Sequence, residues 1–142
     1  MYRALVLFIL LATFAGAALA AAKTGAPSTN VELPVVIAPM SKDGQLTGYA
    51  YITAKIVATS QAASLQVHSK IPFIQDAFVR DVNAAPISKA NDAAAVDQDG
   101  LAVRLTSDAQ RIVGPAKISH VVIVRVQLAE LRPKEALVAP PK

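Results

Sequence analysis

The chain reads as an α+β domain: an antiparallel-rich sheet of about three strands with two helices on one face, in the order β-β-α-α-β. Three observations carry that reading. From Thr47 to Ala58 the residues alternate, with Ala50, Ile52, Ala54, Ile56 and Ala58 on one face and Tyr49, Tyr51, Thr53 and Lys55 on the other. From Val67 the spacing changes, and Val67, Ile71, Ile74, Phe78 and Val82 form one helical stripe. From Ile118 to Leu131 a long β-branched run returns the chain to strand.

Taken in order, Val31 to Pro39 is a β-rich run that puts Val31, Leu33, Val35 and Ile37 on one face. Pro34 removes a ladder donor, so this strand is expected at an edge or with a bulge. Ser41-Lys42-Asp43-Gly44-Gln45 has hairpin chemistry, with Gly44 suited to positive φ. The strand Thr47 to Ala58 follows. Ser60 or Ser64 is placed to cap the first helix. Pro72 inside its stripe predicts a kink, or two short helices meeting there. Asp76 and Arg80 lie four apart on its outer face and are spaced to pair.

Asn83 to Asn91, with Pro86, reads as a loop. Asp92 to Val113 reads as a second helix with Leu101, Leu105, Ala109 and Ile112 on one face. Gly100 weakens its first part, so the regular helix is expected to begin near Asp99. Gly114-Pro115 is a strong stop. In the last run, strict alternation puts Ile118, His120, Val122, Val124, Val126 and Leu128 on the core face. Ser119, Val121, Ile123, Arg125 and Gln127 then fall on the other face. Its β-branched length suggests a central strand.

The high overall apolar content, 54% hydrophobic against 17% charged residues, is concentrated at the start. Arg3 precedes an apolar run from Ala4, and Ala18-Leu19-Ala20 is a small-x-small cleavage motif, so residues 1–20 read as an export signal. The alternative is an uncleaved anchor, since a helix from Ala4 to Ala22 reaches roughly 28 Å. Weakly inserting Ala and Gly in its second half, and Lys23 after it, favour cleavage. The domain plan is therefore signal or anchor at 1–20, linker at 21–30, one α+β domain at 31–133 and a disordered tail at 134–142. The expected location is periplasmic or secreted after cleavage, or the inner membrane with the domain in the periplasm if the segment is retained.

Composition also removes function classes. The chain has no Cys, hence no disulfide, thiolate nucleophile, thiolate metal site or lipid-anchored signal. Of the 14 basic residues only Arg3 precedes Ala20, which leaves 13 against 10 carboxylates, a net charge of +3. These charges are scattered and Trp is absent, so no nucleic-acid platform is expected. His68 and His120 lack partners at metal-ligand spacing and read as surface or boundary residues. Ser119 is expected on the opposite sheet face from His120 and so not in a dyad with it. Asp97-Gln98-Asp99-Gly100 resembles part of a calcium loop, but Ala95 and Thr106 stand where carboxylates are needed. These acids fit a helix N-terminus better. Asp76 and Asp81, five apart, read as a solvated face. No phosphate loop, nucleophile elbow or zincin helix occurs, so the expectation is no cofactor, no metal and no enzyme activity.

One surface stands out. If helices cover a single side of the sheet, Tyr49, Tyr51 and Lys55 share an outer face with Val121, Ile123 and Arg125. Tyr49, Tyr51, Lys55 and Arg125 are the candidate interaction residues.

The stretch Val31 to Pro133 resembles the extracytoplasmic domain of the flagellar basal-body-associated FliL family. The resemblance rests on the strands around Val31-Glu32-Leu33-Pro34-Val35-Val36-Ile37 and Tyr49-Ala50-Tyr51-Ile52, and on the helix with Ile71-Pro72-Phe73-Ile74-Gln75-Asp76-Ala77-Phe78. It continues through Leu101-Ala102-Val103-Arg104-Leu105, closed by Gly114, to the strand Val121-Val122-Ile123-Val124-Arg125-Val126-Gln127. The chain departs from that family in its three-residue start before a segment with a cleavage site and in its Pro-containing tail. The resemblance implies a non-enzymatic domain that self-assembles and contacts membrane machinery, with itself or an inner-membrane complex as partner; the membrane itself is a partner only if the N-terminal segment is retained. It implies no single functional residue. The alternative function is a small-ligand or envelope-component binding module, which needs a concave apolar pocket between sheet and helices.

Overall fold

The computed structural model describes residues 28–131. The expected signal or anchor and all but the last residues of the linker lie outside the described residues, as does the C-terminal tail. The elements are β1 (Asn30–Glu32), β2 (Val36–Lys42), β3 (Gln45–Ala58), α1 (Gln61–Ala84), β4 (Ser88–Lys89), β5 (Asp92–Val96), α2 (Gln98–Val113) and β6 (Ile118–Glu130). The fold is α+β, with antiparallel strands and two helices on one face of the main sheet.

β3 is the centre of that sheet. β6 pairs along one of its edges from Gly48 to Ala58, while β2 and then β1 share the other. β6 is thus an edge strand among the described residues, not the central strand its composition suggests. A β-branched run reports burial and packing rather than position in the sheet.

Pro34 explains the split between β1 and β2. It cannot donate to the ladder, so pairing stops at Glu32 and resumes at Val36, with Leu33 N–H still reaching Ala54 O at 3.1 Å. The interruption also reverses the alternation. Val31 and Leu33 are buried, as are Val36, Ala38 and Met40, whereas Val35 and Ile37 face outward. The expected single face of Val31, Leu33, Val35 and Ile37 is therefore divided at the proline.

The β2–β3 connection is a two-residue turn at Asp43 and Gly44, whose φ values are 52° and 77°. Positive φ at both positions suits the right-handed twist of the flanking strands. All five even residues of β3 from Ala50 to Ala58 are buried.

α1 starts where Ser60 Oγ accepts the Ala63 N–H at 3.1 Å. It runs for 24 residues through Pro72 as one helix, so of the two expectations there, a kink or two short helices, the division into two does not occur. Val67, Ile74, Phe78 and Val82 are buried and Ile71 partly so, as the stripe requires. Each such side chain contributes about 1.5–3 kcal/mol by leaving water, and this outweighs the local cost of the proline.

The next segment departs from expectation. Ser88–Lys89 and Asp92–Val96 form a two-stranded ribbon where a loop and the first turns of a helix were expected. Ile87 and Val96 are buried, and Asp97 N–H donates to Ile87 O at 2.8 Å. Tertiary pairing overrides the helical preference of Ala93-Ala94-Ala95. α2 begins at Gln98, capped by Asp97 Oδ1, which accepts the Gly100 N–H at 3.1 Å. Asp97 and Asp99 thus sit at the helix start, where the dipole favours negative charge. Leu101, Leu105 and Ala109 are buried, and Gly114 ends the helix at φ 120°.

Two bulges shape β6. Thr53 pairs with Arg125 but Ala54 with Ile123, so Val124 is extra; Val57 pairs with His120 but Ala58 with Ile118, so Ser119 is extra. Each bulge reverses the alternation. Ile118, Val121, Ile123 and Val126 turn inward, and His120, Val122 and Arg125 turn outward. Strict alternation had His120 and Val122 inside and Val121 and Ile123 outside, and both assignments are corrected.

Candidate interaction surface

Among the described residues, no helix lies on the outer face of the main sheet. Its rows follow from the register: Ile37, Tyr51 and Gln127 stand side by side across β2, β3 and β6, and Pro39, Tyr49 and Ala129 form the next row. Thr53 lies beside Arg125, and Lys55 lies between Glu32 and Val122. The four candidate residues therefore share one face. Tyr49 and Tyr51 are 37% and 39% exposed and Arg125 is exposed, while Lys55 is half-buried.

That face is more apolar than the tyrosines alone suggest. Val35 and Ile37 are 50% and 49% exposed on its β2 side, and Val124 is 58% exposed at the β6 bulge. Alternation places Val35 and Ile37 on one face with Val31 and Leu33, and Val124 on the core face. The signal for Ile37 was present in Pro34, since an interrupted strand need not keep its parity. Val121 and Ile123, expected here, belong to the core.

The opposite side of the sheet is closed. Phe78, Ile74, Ile52, Ile56, Leu101 and Leu105 are fully buried between sheet and helices. An apolar hollow of about 300 Å³ lies instead at the far end of the sheet, between Met40, Tyr49, Ala94, Leu128 and Leu131.

A charged cluster joins the helices. Arg104 of α2 donates from Nη2 to Asp81 Oδ2 at 2.7 Å and from Nε to the same oxygen at 3.1 Å. Its Nη1 donates to Pro86 O at 2.9 Å. Asp81 therefore faces α2 and is not part of a solvated surface with Asp76, which pairs with Arg80 as expected. Asp108 is 7% exposed and accepts from Arg111 Nη2 at 2.8 Å. Burial, and next the nearby Asp81 carboxylate, push its pKa up; Arg111 and Arg104 partly offset this. The arrangement ties α2 to the last turn of α1, and its guanidinium groups are engaged by the acids beside them.

The histidines are both exposed. Ser119 and His120 are not on opposite faces: the bulge at Ser119 sets its Oγ 2.9 Å from His120 Nδ1. No carboxylate hydrogen-bonds to this pair among the described residues, so nothing orients the imidazole as a base. No group of three His, Asp or Glu side chains suited to a metal ion occurs among the described residues. No helix among them is long and apolar enough to cross a membrane. Compared with models of known protein families the chain matches none, and no curated protein matches it.

Proposed function

We propose that this chain is an exported, non-enzymatic interaction domain that acts through the outer face of its sheet, by self-association or by contact with membrane machinery. One observation carries the reading. Ile37, Tyr49 and Tyr51 share an apolar and aromatic face across β2 and β3 that no helix covers among the described residues, with Val35 exposed before β2, Val124 exposed at the β6 bulge, and Lys55 and Arg125 beside them. Contiguous apolar surface of this kind, rimmed by polar groups, marks sites of association. Tyr and Arg are the side chains that most often anchor such contacts.

The resemblance to the FliL family supports the same reading and adds a place for it. The domain would work outside the cytoplasm, free in the periplasm once the signal is cleaved or tethered to the inner membrane if it is kept. The filled space between sheet and helices favours surface contact over enclosure of a small ligand.

The test is a pair of variants, Tyr51→Ala and Arg125→Glu. Both residues are on the surface, so the fold should persist, and association with itself or with envelope partners should weaken. Unchanged self-association together with unchanged partner recovery in both variants contradicts the proposal.

A further inference from the structure

We infer that the C-terminal half of the β6 edge pairs antiparallel with the same edge of a second copy of this chain, on a twofold axis at Gln127. The inference rests on the interaction role proposed above and names a partner and a further route for it, the strand edge beside the sheet face.

The backbone of β6 divides into two parts. Its first part is covered from α2: Val121 N–H donates to Thr106 Oγ1 at 2.9 Å, and Gln110 Nε2 donates to Ile118 O at 3.1 Å. Its second part has no such cover. Leu131 N–H donates to Thr47 O of β3 at 2.9 Å, so by alternation the backbone groups of Val126, Leu128 and Glu130 point away from β3. Nothing among the described residues meets them there. No proline or lysine stands between Val121 and Leu131 to protect this edge, and Leu128 and Leu131 are 49% and 47% exposed along it.

The edge complements itself. With Gln127 opposite its own copy, Val126 faces Leu128 of the second chain on the helix side of the sheet, apolar against apolar, twice over. On the other side Arg125 faces the small Ala129, and the two Gln127 amides meet. The antiparallel arrangement brings the Arg125 end of one edge beside the Glu130 end of the other and sets no charge against its own copy. A two-residue shift one way puts Glu130 opposite Val126, a charge on a half-buried apolar face, and the other way centres the pairing nearer the bulge at Val124. Twofold pairing uses one patch on both chains and closes without leaving either paired edge free.

Single cysteines test this directly, because the chain has none. On the axis, Gln127 and its copy form a non-hydrogen-bonded pair with Cα atoms about 4.5 Å apart, within reach of a disulfide. Arg125 lies about 13 Å along the strand from its own copy, out of reach, but opposite Ala129 of the second chain. In the full chain under mild oxidation, Gln127→Cys should gain a disulfide dimer. Arg125→Cys alone should not, and a mixture of Arg125→Cys with Ala129→Cys should. Dimer formation at all positions alike, or at none, overturns the inference. So does slow amide exchange at Val126, Leu128 and Glu130 in dilute monomer, which assigns the edge to another part of the same chain. A chain that associates through Tyr51 yet gives no Gln127 dimer overturns the edge and leaves the face reading standing. A Gln127 dimer that survives in Tyr51→Ala supports the edge and moves self-association away from the face.

Discussion

Arg104 holds the end of the helix that precedes its own. Its guanidinium grips the Asp81 carboxylate through Nη2 and Nε, donates to Asp81 O at 3.2 Å and reaches Pro86 O at 2.9 Å. The last turn of α1 carries no basic residue, so this cation from α2 adds a second donor to Asp81 O and meets the negative end of the helix dipole. Arg104→Ala is expected to lower stability by about 1–2 kcal/mol, less than a buried pair would because both side chains are partly exposed. Arg104→Lys should recover only part of that, since an ammonium lacks the planar fork. Denaturant midpoints of the two variants check this.

Asp108 makes stability depend on pH in an unusual direction for an acid. Its folded-state pKa is raised, first by burial and then by Asp81, with Arg111 and Arg104 opposing. Arg80 also borders this cleft. A raised folded pKa means the group's contribution is present below its unfolded value, near 4, and is lost as pH rises through the folded value. Asp108→Asn should therefore gain stability relative to the parent as pH climbs above that range. Thermal midpoints taken at several pH values should show the difference widening as pH rises above about 4 and levelling off above the folded value. A constant difference would contradict this account.

The bulges in β6 make opposite predictions for neighbouring valines. Val121 is 3% exposed against Ile56, and Val122 lies outward beside Lys55. Val121→Asp should leave an unpaired charge in the core and prevent folding, whereas Val122→Asp should fold and gain a partner in Lys55. Strict alternation predicts the reverse, so circular dichroism of the two variants separates the registers.

Gly48 is where β3 comes too close to β6 for a side chain. A Cβ there would collide with the carbonyl oxygen of Ala129, a backbone atom that cannot swing aside. Gly48→Ala is expected to cost about 1–3 kcal/mol and to loosen the far end of the β3–β6 ladder. Amide exchange at Ala129 and Leu131 reads that loosening locally.

Much of this architecture is legible in the residues because local chemistry and tertiary packing agree. The buried stripe from Val67 to Val82, the Ser60 and Asp97 caps, the Asp43-Gly44 turn and the Gly114 stop each use a residue type suited to one role. The faces of the edge strands were not legible. Val121-Val122-Ile123-Val124 is apolar on both sides, so no polar residue marks which side is out, and a bulge leaves no composition of its own. Asp92-Ala93-Ala94-Ala95-Val96 looks helical until Ser88–Lys89 pairs with it. Asp81 looks solvated until Arg104, 23 residues on, is folded against it. Of the candidate surface, Tyr49, Tyr51, Lys55 and Arg125 were readable because polar atoms and aromatic rings declare a face. Ile37 and Val124 were not, because aliphatic side chains suit either side of a sheet.

Whether a partner covers the outer sheet face is read by oxidative footprinting of Tyr49 and Tyr51. Labelling is compared between the purified, dilute chain and the chain inside the cells that make it. Both rings should react readily in the dilute chain and be protected in the cells, with Tyr51→Ala reducing the protection of Tyr49. Equal labelling of Tyr49 and Tyr51 in both settings would contradict a covered face.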